Sequence, residues 1–169
     1  DPLSTKAIEE ALGAREGIDP EQARLIAHLA RGSYTRALEY AHSALGERRN
    51  EAVELLRAMV LKPRLELLAE IDRIHTEYER PRVEELLQLL QYWLRDAMML
   101  QAGIGDETVG GDAGALRKFL QRYPSARYDA LLDDLERAIS LLSKNVYIPL
   151  ILLHLAGAVK SHVEPASLR

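Results

Sequence analysis

The chain has 169 residues, of which 47% are apolar and 28% are charged, so it can bury a core and keep a well-solvated surface. A net charge of −4 argues against nucleic acid as its main ligand, and the lack of cysteine excludes disulfides and thiolate metal sites. The sequence shows no secretion signal and no apolar run of membrane-spanning length, and we therefore expect a cytoplasmic protein. Because it opens on Asp1 and Pro2 without a methionine, we also expect a piece of a longer protein.

The composition favours helices throughout the chain. Leucine, alanine, glutamate and arginine are abundant, and alternating apolar and polar runs are absent. The fold class is predicted to be all-α, with a small three-helix module over residues 1–45, a helical bundle over residues 46–165 and a tail over residues 166–169. The charged segment 46–50 interrupts the apolar pattern and is the predicted boundary.

The first module carries three helix-start signals. Ser4, Asp19 and Ser33 each stand where a side-chain oxygen can cap the first turn of a helix, and Pro20 follows Asp19 at the first helical position. The inner faces of these helices are rich in alanine, so the helices must approach closely. Such a short module buries little surface by itself.

The larger unit is divided by prolines and by a glycine-rich segment. Pro63 and Pro81 are predicted to begin helices, the second of which runs to about Ala102. Residues 104–114 are predicted to be a loop, after which Asp112 caps a short helix and Ser125 caps the next. Asn145 suits the left-handed position just beyond a helix end.

The most apolar stretch follows Asn145. We predict a helix from Pro149 to about Ser161, with apolar side chains on every side, enclosed by the other helices as the centre of the bundle. His154 lies within this stretch, and we expect it to be a neutral, hydrogen-bonded histidine in the core or at an interface.

The sequence lacks the residue patterns of an active site. None of its five histidines has metal-ligand spacing, and the glycine-rich segment lacks the Gly-Lys-Ser/Thr of a phosphate loop. We therefore predict no catalytic residue, no metal and no cofactor. Trp93 is expected to pack beside the inner stripe of the long helix, and Arg95 and Asp96 could form an ion pair facing a partner. These residues indicate a helical interaction module rather than an enzyme.

One stretch of the first module resembles a known family. The run from Leu25 to Leu38 carries Ile-Ala, then a Gly-Ser turn at Gly32 and Ser33, then Arg-Ala-Leu. It is similar to the second and third lid helices of bacterial DNA polymerase III clamp-loader subunits, which belong to the AAA+ class.

Two stretches of the larger unit resemble the collar domain of the same family. Residues 93–96 are similar to its Arg-Asp-bearing helix, and residues 138–146 followed by 150–153 are similar to its closing two helices. The resemblance covers a lid over about 1–45 and a collar over about 47–165. It implies that the collar packs against those of the other subunits, delta and gamma/tau, in the ring that opens the sliding clamp. The candidate collar contacts are Trp93, Arg95, Asp96, Asn145 and His154.

The resemblance also has an implication for whether this subunit hydrolyses ATP. In this family a sensor arginine stands two residues after the serine of the turn, and here that position is Thr35. Its loss implies a subunit that does not hydrolyse ATP, as in the delta prime subunits. Arg36 is adjacent, and a register shifted by one residue would restore the sensor of an ATP-hydrolysing gamma/tau type.

An unrelated helical module that binds a ligand or dimerises remains an alternative to the clamp-loader family. If the chain belongs to the clamp-loader family, we expect that it binds neither ATP nor DNA tightly and contacts no membrane. A collar taken out of its ring can also self-associate through the apolar patches left bare.

Overall fold

The computed structural model describes residues 2–104 and 113–163. Within those ranges every regular element is helical, and the all-α prediction is confirmed. The predicted glycine-rich loop and the cap at Asp112 lie largely outside the described residues, as does the predicted tail. The α-helices are α1 (Thr5–Glu16), α2 (Pro20–Ala30), α3 (Tyr34–Glu39), α4 (Leu45–Leu61), α5 (Arg64–Glu77), α6 (Arg80–Gln101), α7 (Ala113–Arg122), α8 (Tyr128–Ser143) and α9 (Ile148–His162).

The chain divides into two compact units that part between Arg48 and Arg49. The predicted linker 46–50 is nevertheless helical, since it lies within α4, and a π-helical turn (Tyr40–Ala44) joins α3 to α4. The helix continues because the segment contains no proline, and the one glycine, Gly46, costs a helix only about 1 kcal/mol.

In the first unit α1, α2 and α3 pack against one another. The three predicted N-caps are confirmed, because the Oγ of Ser4 accepts from the N–H of Ala7 at 3.1 Å and equivalent bonds run from Gln22 to Asp19 and from Arg36 to Ser33. Small side chains let the helices approach closely. The core of this unit includes Ile8, Leu12, Ala23, Ile26, Ala27, Ala30 and Ala37.

In the second unit α6 is the buried centre. It packs on α8 and α7, while α8 packs on α9 and α9 packs on α5. The sequence predicted that α9 would hold this central place, and that prediction is wrong. The buried residues of α6 are Val83, Leu86, Leu87, Leu89, Leu90, Trp93, Leu94 and Ala97.

Of two helix boundaries predicted in this unit, the end of α8 at Asn145 is confirmed and the start of α8 at Ser125 is wrong. Asn145 has φ +59°, as predicted, and the N–H groups of Asn145 and Val146 donate to the carbonyls of Leu142 and Leu141 at 3.2 Å, which closes α8 in a Schellman arrangement. At its other end α8 begins at Tyr128 rather than beside Ser125. The start of α8 is instead stabilised by a residue distant in sequence, because the N–H of Arg127 donates to the carbonyl of His162 at the end of α9.

Candidate protein interface

Helix α9 has one buried face and one exposed face. Its inner residues pack towards α8 and α5, but Tyr147 and Leu150 are each 59% exposed and Leu153 is 38% exposed. The prediction that α9 is enclosed on all sides is therefore wrong for the described part of the chain, because α5 and α8 cover only part of its circumference. The buried residues are Ile148, Ile151, Leu152, Leu155, Ala156 and Val159.

His154 lies on the exposed face of α9, so of the two predicted positions, core or interface, only the interface position stays open as a prediction. The exposed positions recur at spacings of three and four residues, so they line up along one side of the helix. We call this line the α9 strip. It consists of Tyr147, Leu150, His154, Gly157 and Ser161, with Leu153 and Lys160 along one edge.

Helix α5 lies beside α9 and also exposes leucines. The rings of His75 and Tyr147 meet edge to face, with centroids 5.0 Å apart, where the end of α5 reaches the start of α9. On the outer side of α5, Leu65 is 82% exposed and Leu68 is 38% exposed. Neighbouring helices that both expose large apolar side chains are typical of surfaces that bind another protein.

Trp93 cannot contribute to such a surface. Its side chain is only 3% exposed and packs edge to face on Phe119, with ring centroids 5.2 Å apart. The expected packing role is therefore observed, and the candidate interface role is not available to this residue in the folded chain. By contrast, Arg95 is exposed and lies over the ring of Tyr92, while Asp96 is half-buried.

The remaining candidates do not form a single site. The guanidinium of Arg80, the first residue of α6, donates to the carbonyls of Leu142 and Val146, so Asn145 lies at the start of α6. Arg95 is fifteen residues further along this helix, which is about 22 Å away. Arg95 and Asn145 therefore belong to opposite ends of the unit.

The turn between α2 and α3 is tightly built. Gly32 has φ +83°, and a Cβ there would lie 2.6 Å from the Cβ of Pro2. The N–H of Leu3 donates to the carbonyl of Gly32 at 2.9 Å, which holds the chain start against the turn. Thr35 and Arg36 are both exposed on the helix that follows. The side chains of Thr35 and Arg36 are therefore both accessible to a ligand or a partner protein.

One polar cluster was not anticipated from the sequence. His162, at the end of α9, places Nε2 2.9 Å from a carboxylate oxygen of Asp134 and Nδ1 2.6 Å from the guanidinium of Arg127. Arginine can only donate, so Nδ1 must accept and Nε2–H must donate to Asp134. The cluster fastens the end of α9 to α8. No local motif could have revealed it, since Asp134 and His162 lie 28 residues apart in sequence.

The described residues contain no group of three or more metal-ligating side chains. Among the same residues, no helix is both long and apolar enough to cross a membrane. Comparison with protein-family models, with curated proteins and with solved structures found no match.

Proposed function

We propose that this chain is a non-catalytic assembly part of a bacterial DNA polymerase III clamp loader, most similar to the delta prime subunit. It would pack into the cytoplasmic ring of subunits that loads the sliding clamp during DNA replication. The observation that carries the proposal is the exposed apolar α9 strip, because it belongs to the last helix of the unit that resembles the collar.

The strip suits contact with a neighbouring collar. Burying a large apolar side chain contributes about 1.5–3 kcal/mol, and Tyr147, Leu150 and Leu153 supply three such side chains on one side of α9. Tyrosine is also among the residues that most often dominate binding energy. Leu65 and Leu68 on the neighbouring α5 are further exposed apolar side chains of the same unit. The partners in this role are the delta and gamma/tau subunits.

Size-exclusion chromatography with light scattering tests the assignment. The chain is mixed with delta and gamma/tau from the same bacterium, and we expect all of them to elute together at the mass of the ring. Leu150→Glu should remove this chain from the complex, since it places a charge in the apolar contact. Leu3→Glu is the matched control, because Leu3 is 48% exposed but lies in the other unit. Separate elution of the wild-type chain would contradict the proposal.

The exposed side chain of Arg36 supports a second candidate, an ATP-hydrolysing gamma/tau type of subunit. Thr35 carries no charge with which to stabilise a phosphate, whereas the adjacent Arg36 carries a positive charge that can. In the reconstituted complex, Arg36→Ala should leave the ATPase rate unchanged if this chain is of the delta prime type. A fall of tenfold or more, with Thr35→Ala as the unaffected control, would favour the second candidate.

A further inference from the structure

The segment 114–127, which covers most of α7 and the turn into α8, is strongly basic. It carries Arg117, Lys118, Arg122 and Arg127 and no carboxylate. The whole chain has a net charge of −4, so the residues outside this segment carry −8. All four cationic side chains are exposed. An otherwise acidic chain therefore presents a local concentration of positive charge, which we call the α7 basic segment.

Aromatic packing fixes which side of α7 faces outward. The ring of Phe119 packs edge to face on Trp93 of α6 and on Tyr128 of α8, with centroids 5.2 Å and 6.3 Å apart. Leu116 and Tyr123, one turn before and one turn after Phe119, are buried. The opposite side of α7 therefore faces solvent. That side consists of Gly114, Arg117, Lys118, Gln121 and Arg122, at spacings of three and four residues.

Arg127 continues the positive charge beyond the end of α7. Its guanidinium lies 2.6 Å from Nδ1 of His162. This imidazole nitrogen is an uncharged acceptor, so the contact leaves the charge of Arg127 in place. The next charge along the chain is Asp129, which is exposed in the first turn of α8. One carboxylate at the edge of the segment is too little to cancel four cations.

The exposed residues of the segment favour nucleic acid over a folded protein as the partner. Apart from the cations they are Gly114, Gln121, Pro124 and Ser125. None of these is the aromatic or large apolar anchor that the centre of a protein interface uses. Arginine, lysine, glutamine and serine are instead among the donors that contact phosphates of nucleic acid. The acidic remainder of the chain repels a polyanion, which directs it to this segment.

We propose that the α7 basic segment binds the phosphate backbone of nucleic acid without reading its sequence. Lys118 and Arg122, one helical turn apart on the outer side of α7, form the centre of the contact. Phe119 and Tyr123 pack inward, so the segment offers no exposed ring on which an unpaired base could stack. A duplex should therefore bind at least as tightly as a single strand.

Four phosphate contacts make this interaction weak and steeply dependent on salt. The slope of log K against log salt is about −3.6 for a duplex, and the dissociation constant at physiological salt is about 100 μM, the weak end of non-specific binding. Raising the salt from about 50 to about 200 mM should weaken binding about 100-fold. The acidic net charge agrees with this, because it excludes nucleic acid only as the main, tightly held ligand.

The inference does not rest on the clamp-loader assignment. The segment belongs to α7, whereas the contact proposed for the ring belongs to α9, so each has its own disrupting variant. Leu150→Glu should remove the chain from the ring and leave nucleic-acid binding unchanged. Arg122→Gln should do the reverse. The nucleic-acid experiment uses this chain alone, and the two proposals can fail independently.

Fluorescence anisotropy tests the proposal, with a labelled duplex of about 20 base pairs and a single strand of the same length, at salt from about 25 to about 200 mM. Lys118→Gln and Arg122→Gln should each weaken duplex binding about tenfold at about 50 mM salt and make the salt slope shallower by about 0.9. Arg64→Gln is the matched control, because it removes the same charge from an exposed arginine of α5. It should change the affinity less than about twofold.

Four outcomes would contradict the proposal. One is no binding of either nucleic acid at about 25 mM salt with up to about 200 μM chain. An equal effect of Arg64→Gln and Lys118→Gln would assign the attraction to the chain as a whole. Polyglutamate that displaces the duplex equally well at equal charge concentration would favour an acidic protein as the partner. A single strand that binds about tenfold more tightly than the duplex would replace backbone contact with base stacking.

Discussion

The guanidinium of Arg80 donates a hydrogen bond of 2.9 Å to the main-chain oxygen of Val146, 66 residues further along the chain. It also donates to the carbonyl of Leu142 at 3.1 Å, so the first residue of α6 satisfies carbonyls at the end of α8. Carbonyls at the end of a helix have no partner within it, and a cation there is favoured by the helix dipole. This pair of bonds fixes where the chain turns from α8 into α9.

Replacing Arg80 by methionine should therefore destabilise the second unit. Hydrogen bonds to a charged group contribute about 1.5–3 kcal/mol, and we expect a loss of about that size in the free energy of unfolding by urea. Arg95→Met is the control, since Arg95 is an exposed arginine of the same helix. Equal stability of the two variants would show that the bonds to the carbonyls of α8 contribute nothing.

Gly32 is expected to tolerate no side chain. Gly32→Ala must adopt a left-handed conformation, which costs about 1–2 kcal/mol, and its Cβ would clash with Pro2. Gly13 lies inside α1 with no atom near its missing Cβ, so Gly13→Ala should stabilise the same unit by about 0.5–1 kcal/mol. Thermal unfolding followed by circular dichroism measures both. A stabilising Gly32→Ala would contradict the contact between the turn and the chain start.

Burial raises the pKa of Tyr128 to about 12, and its hydroxyl has no hydrogen-bond partner among the residues that the structure describes. The folded state thus keeps the phenol protonated after the unfolded chain has begun to ionise near pH 10. Stability should be unaffected by this group below pH 10 and should fall by about 2 kcal/mol between pH 10 and 12.

Tyr128→Phe tests this directly. It should abolish that alkaline loss and leave stability at pH 7 unchanged or slightly higher, because it removes an unpaired buried hydroxyl. Tyr147→Phe, at an exposed position, controls for the loss of one hydroxyl. Urea unfolding at pH 7, 10 and 12 supplies the numbers. An unchanged alkaline loss in Tyr128→Phe would refute the assignment.

A hydrogen bond from Arg73, at 2.6 Å, lowers the pKa of Glu70, with a further contribution from Lys62 and against the opposing effect of burial. Because the folded state favours the ionised carboxylate, its stabilisation is present above the usual glutamate value of 4.5 and is lost as the pH falls below it. Glu70→Gln should lower stability at pH 7 by about 0.5–1 kcal/mol and weaken the acid dependence. Glu66→Gln, an exposed glutamate of α5, should change neither in the same urea titrations.

The sequence did not predict which face of α9 is buried and which is exposed. The apolar run after Asn145 correctly predicts a helix, but composition alone cannot tell which of its faces is covered. Leu150 and Leu152 are equally apolar, yet one is 59% exposed and the other is fully buried. Only the positions of α5 and α8 separate them. The spacing of His154, Gly157 and Ser161 along one side of the helix was the available sign that this side is less apolar.

The sequence by itself determined the all-α class and most of the helix starts, because these depend on atoms a few residues apart. Ser33 caps Arg36, Pro63 precedes α5, and Asn145 takes the left-handed conformation through local sterics and hydrogen bonds. The tertiary structure alone decided that α6, not α9, is the buried centre, and that His154 is exposed while Trp93 is not. Burial depends on which distant helices arrive beside a residue, and no window of neighbouring residues contains that information.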